Sequence, residues 1–187
     1  QIDGSVIEDS WGEAEREQLQ ASFVATGLSG ATQVLEQTVA GLDAYADELV
    51  AARRGACEQR WVEKSQTDAQ LELRVACLEQ REGELRAAVE VLADADSELV
   101  WRAPEILRGL GDVGLCERVA LLERNTPVPR DEITVAAIGE AREDLARAHV
   151  ARRSGRLEDS QILAASLRRR ARHLDYEPLL GEIAFHS

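Results

Sequence analysis

Three glycines at 109, 111 and 114, in "GLGDVG", match the G-x-G-x-x-G spacing that lets backbone N–H groups approach a phosphate. That chemistry needs a strand before the motif and a helix after it, and the flanking residues here read as two short helices. The better reading is a helix–helix turn that uses the free φ angles of glycine. Cys57, Cys77 and Cys116 show no C-x-x-C spacing, and His149, His173 and His186 form no H-E-x-x-H. Neither set predicts zinc, and lone cysteines on helices usually act as small buried hydrophobes. Carboxylates are numerous but fall in runs such as Glu13-Glu15-Glu17, which read as a wet helix face. No Ser/His/Asp order and no Walker loop is present. The residues therefore predict no catalytic, cofactor-binding or metal-binding site, and a chain that is not an enzyme.

Arg168, Arg169, Arg170 and Arg172 are the other candidates, as a cradle for an anion. At 100° per residue they point to at least three sides of one helix, so they build no single basic face for nucleic acid. They lie in the last turns, where cations suit the helix dipole. The whole chain carries 35 acidic and 22 basic residues, net −13, which repels phosphate backbones. Lys64 is the only lysine and every other basic residue is Arg, spread along the whole chain.

The elements that must position these groups are helical. Ala and Leu dominate, and aromatics make up 4% of the chain. Trp11, Leu19, Phe23 and Val24 mark a helix over about 10–27, ending at Gly27, with Ser29 placed to cap the next. Leu35, Leu42, Leu49 and Ala56 then recur every seven residues. Leu71, Leu78, Leu85 and Leu92 do the same after a polar break at Glu63-Lys64-Ser65. Two such ladders predict a long antiparallel hairpin over about 29–95, with Leu35 facing Leu92 and Ala56 facing Leu71. That register separates Cys57 from Cys77 by about 10 Å, too far for a disulfide. Slipping it by one heptad keeps the leucines matched and brings the two cysteines level. A Cys57–Cys77 bridge therefore stays open, and it would leave Cys116 unpaired.

Asp96 or Ser97 starts a shorter helix, in which Pro104 is expected to kink or reset the first turn. A helix over 112–124 follows, then the linker "NTPVPRD" (125–131) with Asp131 as an N-cap. The chain divides there into 1–124 and 131–187. The second part carries Leu145, Ala146, Ala148 and Ala151, a turn at Gly155, and a stripe of Leu157, Ser160, Ala164, Leu167, Ala171 and Leu174. Small residues on both helices around a glycine turn follow tetratricopeptide (TPR) logic. Arg147 and Ser160 depart from it, and Glu177 or Pro178 starts a further helix. The expected fold is all-α: a long antiparallel hairpin followed by TPR-like repeats in a right-handed array. No stretch approaches the 18 apolar residues of a membrane span. The chain opens on Gln1 and holds no Met, which predicts a processed product or a piece of a longer protein.

Several segments carry a resemblance: "ASFVATG" (21–27), "LDAYADELVAARRGACE" (42–58), "KSQTDAQLELRVACLEQREGEL" (64–85), "LCERVALL" (115–122) and "GRLEDSQILAAS…LDYEPLLGEI" (155–183). In order and type they resemble the helical region that follows the kinase domain in bacterial, myxobacterial-type serine/threonine protein kinases. In that group a membrane segment often precedes this region and TPR repeats follow it. The resemblance implies a regulatory or scaffolding portion that binds a protein or peptide, with the kinase domain of the same chain as one such partner. It also implies an inner-membrane tether in a flanking segment. It carries over no catalytic residue, because His-Arg-Asp, Asp-Phe-Gly and Val-Ala-Ile-Lys are missing. A small-ligand sensor controlling a fused kinase and a structural oligomerisation module are the alternatives. A deep apolar pocket between the hairpin and the repeats would favour the sensor.

Overall fold

The structure, a computed structural model, describes residues 5–125, 131–174 and 176–185. It is all-helical, with no strand among the described residues. A short helix α1 (Ser5–Glu8) and α2 (Glu13–Ala25) lead into two long helices, α3 (Ala31–Cys57) and α4 (Asp68–Ala93). Then come α5 (Ser97–Leu107), α6 (Val119–Asn125), α7 (Glu132–Arg153), α8 (Leu157–Leu174) and α9 (Glu177–Phe185).

The boundaries follow local chemistry. Thr67 and Gln70 form a reciprocal cap on α4: the Gln70 N–H donates to Thr67 Oγ1 at 3.2 Å and the Thr67 N–H to Gln70 Oε1 at 2.9 Å. Asp96 caps α5 by accepting from the Glu98 and Leu99 N–H groups. Asp131 caps α7 through the Thr134 N–H at 2.8 Å. The rest of the expected 125–131 linker lies mostly outside the described residues. Ser29 is not the cap of α3. Gly30 holds that position at φ 92°, with no side-chain cap bond. Only a residue free of Cβ adopts that angle cheaply, so the turn needs backbone freedom more than a hydroxyl. Gly155, at φ 85°, makes the expected turn between α7 and α8. Pro104 sits inside α5 and does not restart it. The helix expected over 112–124 is split into a 3-10 turn, Val113–Glu117, and α6. Asp112 accepts the Gly114 N–H there, and Arg118 takes non-helical angles.

The hairpin of α3 and α4 is present, but one heptad out of the expected register. The Arg53–Glu82 ion pair, 2.7 Å, crosses between the helices. The Leu35–Leu92 register would separate those two residues by about 12 Å along the axis. The observed pairing sets Leu42, Leu49 and Ala56 level with Leu92, Leu85 and Leu78, and all six are fully buried. Leu71 drops out of the seam and is half-buried. The slip lengthens the connection to ten residues, 58–67, which hold a π-helical turn (Glu58–Val62) and Lys64 at φ 56°. Arg74 plugs this end. It is 1% exposed, and its guanidinium donates to Gln59 Oε1 at 2.6 Å and Gln66 Oε1 at 3.2 Å.

α2 lies across the pair. Trp11 Nε1 donates to Asp43 at 2.7 Å, and Ser22 Oγ to the Leu92 carbonyl at 3.2 Å. α5 turns back and runs alongside α3 in the same direction. Trp101 lies beside Gly30, Leu107 beside Gly41, and the Tyr45 hydroxyl donates to the Gly111 carbonyl at 3.0 Å. α7 lies along the other side of α4, again in the same direction, through Arg86–Glu143 and Arg147–Glu90. α8 returns antiparallel on α7, where Ser160 Oγ donates to the Ala148 carbonyl at 2.8 Å. That bond places a serine where packing alone would take alanine. α9 closes on α7 through Arg142, whose guanidinium grips Glu182 at 2.7 and 3.1 Å. One core fills the space among α2, α3, α4 and α5 and includes Ala146 and Val150 of α7. A second, around Leu167, Leu179 and Ile183, includes Ile138, Ala141 and Leu145 of the same helix. Each buried leucine in these cores stabilises the fold by about 1.5–3 kcal/mol.

Candidate functional site

The glycine-rich turn is held by carboxylates. Glu84 Oε2 accepts the Gly111 N–H at 2.9 Å and the Arg81 guanidinium at 2.9 Å, while Asp112 accepts the Gly114 N–H at 2.9 Å. Two of the N–H groups that a phosphate would use are thus bonded to anions. None of the three glycines takes a positive φ, so the expected reason for them is corrected. A Cβ at Gly111 would strike Arg81, and one at Gly109 would strike Arg153. These glycines serve close approach, the step that lets the 108–112 turn settle on α4 and α7. Burial pushes the Glu84 carboxyl above the ordinary carboxylate range. Arg81 and the Gly111 N–H oppose that shift, and Glu182 adds to it.

The cysteines pair as Cys77–Cys116, with a Cα–Cα distance of 5.5 Å, and Cys57 is free. The possible Cys57–Cys77 bridge is therefore not formed, although the slipped register brings those residues to a similar height. Height along the hairpin does not fix which flank a side chain takes. Cys77 turns to the 3-10 turn, which packs on both α3 and α4 and buries Cys116 in the main core. His149 lines a small cavity of about 110 Å³ near Arg81 and Glu84, His173 is exposed on α8, and His186 lies outside the described residues. No cluster of His, Cys, Asp and Glu suited to a metal ion occurs among the described residues. Glu13 and Glu17 are exposed, as a wet face requires, while Glu15 accepts the Gly12 N–H at 2.9 Å. Arg168, Arg169 and Arg172 are exposed on α8. Arg170 differs: it reaches back to Asp144 and to Glu140 on α7. Leu157, expected in the apolar stripe, is 57% exposed at the first residue of α8.

Among the described residues, a cavity of about 420 Å³ lies between α4 and α7. Its floor is apolar, from Leu73, Ala76 and Ile138, with Tyr176 at the start of α9. Gly83 and Gly139, on facing helices, leave it wide, and a Cβ at Gly139 would meet nothing within 4 Å. Its charged rim is largely self-neutralised. Glu82, only 3% exposed, accepts from Arg53 at 2.7 Å, Arg86 at 3.5 Å and Ser10 Oγ at 3.5 Å. Arg86 also bonds Glu143 at 3.2 Å, and Arg142 is held by Glu182. Desolvation pushes the Glu79 carboxyl up; Arg53 opposes this and Glu82 adds to it. Sequence reasoning missed this site because its parts lie on helices that are distant in the chain. The midhelix Gly83 and Gly139 were the available signal, since glycine inside a helix costs about 1 kcal/mol and asks for a packing reason.

No family model, no curated protein and no solved structure matches the chain. No helix among the described residues is long and apolar enough to cross a membrane.

Proposed function

We propose that this chain is a non-catalytic protein-interaction module, the regulatory region of a bacterial serine/threonine kinase, which receives a polypeptide segment in the groove between α4 and α7. The observation that carries the reading is the position of the groove. It lies where the hairpin meets the helix pair of the second part, and its size and mostly apolar lining suit inserted side chains. On this reading α7 and α8, with α9 beginning the next unit, are the TPR-like part of a right-handed helical array. Close packing at Ala148 and the Gly155 turn support that comparison. The kinase connection rests on the resemblance of the ordered segments from "ASFVATG" to "LDYEPLLGEI".

The test is a peptide array of mixed charge and hydropathy probed with the whole chain, repeated with Gly139→Leu, which fills the groove. Peptides that bind the wild type and lose binding to Gly139→Leu are the expected result. An array on which nothing binds would overturn the reading. The cavity also favours a second reading, a sensor for a small ligand. A small molecule that raises the melting temperature of the wild type but not of Gly139→Leu, with no peptide bound, is its signature.

A further inference from the structure

The chemistry of the occupant follows from the charges around the groove. Arg53, Arg86 and Arg142 are each matched by a carboxylate, from Glu82, Glu143 and Glu182. Two carboxylates remain on its rim, Glu72 and Glu79, with no ion pair among the described residues. Both stand on α4, seven residues apart, so they lie on one side of that helix about 10 Å from each other along the axis. Between them Ala76 opens the apolar floor, and Gly139 faces it from α7. Of the two, Glu79 is pushed toward its neutral form by burial, and a cation brought beside it would favour its charged form. The chain's net charge of −13 draws cations to every face, and here two carboxylates outside any ion pair among the described residues border a cavity with an apolar floor.

We propose that the groove takes an amphipathic helical segment of a partner protein, with aliphatic side chains in the cavity and two basic residues one heptad apart on Glu72 and Glu79. A helix laid along α4 presents side chains at the same seven-residue period as the two carboxylates, which an extended strand does not. This inference rests on the interaction reading above and adds the occupant's charge and shape.

The probe is a fluorescein-labelled helical peptide with two arginines seven residues apart and leucines between them. Its counterpart has glutamates in place of the arginines. Fluorescence anisotropy is recorded with the full chain, with Glu72→Gln, with Glu79→Gln and with Gly139→Leu. The basic peptide is expected to bind and the acidic one not. Each Glu→Gln change is expected to weaken binding by about tenfold, the loss of one charge-assisted bond. Gly139→Leu is expected to abolish binding while circular dichroism shows an intact fold. Equal binding to all variants overturns the proposal, since it means adhesion to an acidic surface. Binding of the acidic or of neutral peptides in the groove overturns the basic occupant but leaves the interaction reading standing. If no peptide of any charge binds, both fail. Should Gly139→Leu not fold, the two Glu→Gln variants decide alone.

Discussion

Glu84 shows how a single carboxylate sets a turn. It gathers the Gly111 N–H and Arg81, and its removal leaves both without an acceptor in a buried place. Glu84→Ala is expected to cost about 1–3 kcal/mol in urea unfolding. The pH dependence has a definite sign. The folded pKa is raised, so this group's contribution is complete below the unfolded value and is lost as pH rises through the folded one. Glu84→Gln keeps an acceptor and loses the titration. Its stability is expected to fall less than that of the wild type as pH rises above the ordinary carboxylate value. An equal fall in both would contradict the assignment. Arg74 is the other decisive residue. Its charge is buried against two glutamine oxygens, so Arg74→Ala is expected to lose about 2–4 kcal/mol and to loosen the hairpin end, seen as faster amide exchange over 58–67. Neither role was legible in the sequence. Glu84 and Arg74 look like ordinary polar positions on an amphipathic helix, and only packing from distant segments buries them.

At the scale of elements, most helix ends were written locally. Asp96, Asp131, Gly155 and the polar break before Thr67 all act where the sequence places them. The hairpin was legible as a hairpin but not in register. Identical seven-residue steps allow several alignments, and what separates them is non-local: Arg53 meeting Glu82 and Arg74 filling the turn. The disulfide was illegible for the same reason, because the flank on which Cys77 emerges depends on where the 3-10 turn docks. That bridge closes a loop across 39 residues and is expected to stabilise the fold by about 2–4 kcal/mol. Intact mass is expected to rise by about 2 Da on reduction, and peptide mapping to join Cys77 to Cys116. Cys116→Ser is expected to lower the melting temperature, whereas Cys57→Ser is not. A Cys57–Cys77 peptide pair would contradict this topology.

At the scale of the molecule, α7 is the organising helix. It contributes Ala146 and Val150 to one core and Ile138, Ala141 and Leu145 to the other, and its parallel course beside α4 creates the groove. The all-α class was readable from Ala, Leu and heptad spacing alone. The groove was not, since nothing local says that α7 lies along α4 in the same direction. Once it does, Gly83 and Gly139 line a cavity between the two helices, and the proposed binding role rests on that cavity. Competing surfaces exist on the same molecule: Trp61 and Val62 at the hairpin end are 61% and 76% exposed, and Arg168, Arg169 and Arg172 are exposed on α8. The most direct discrimination is photo-crosslinking of the basic helical peptide to the full chain, read by mass spectrometry. Crosslinks confined to residues 72–86 of α4 and 135–143 of α7 are the expected result. Crosslinks centred on Trp61 and Val62, or spread over the acidic surface, would contradict it.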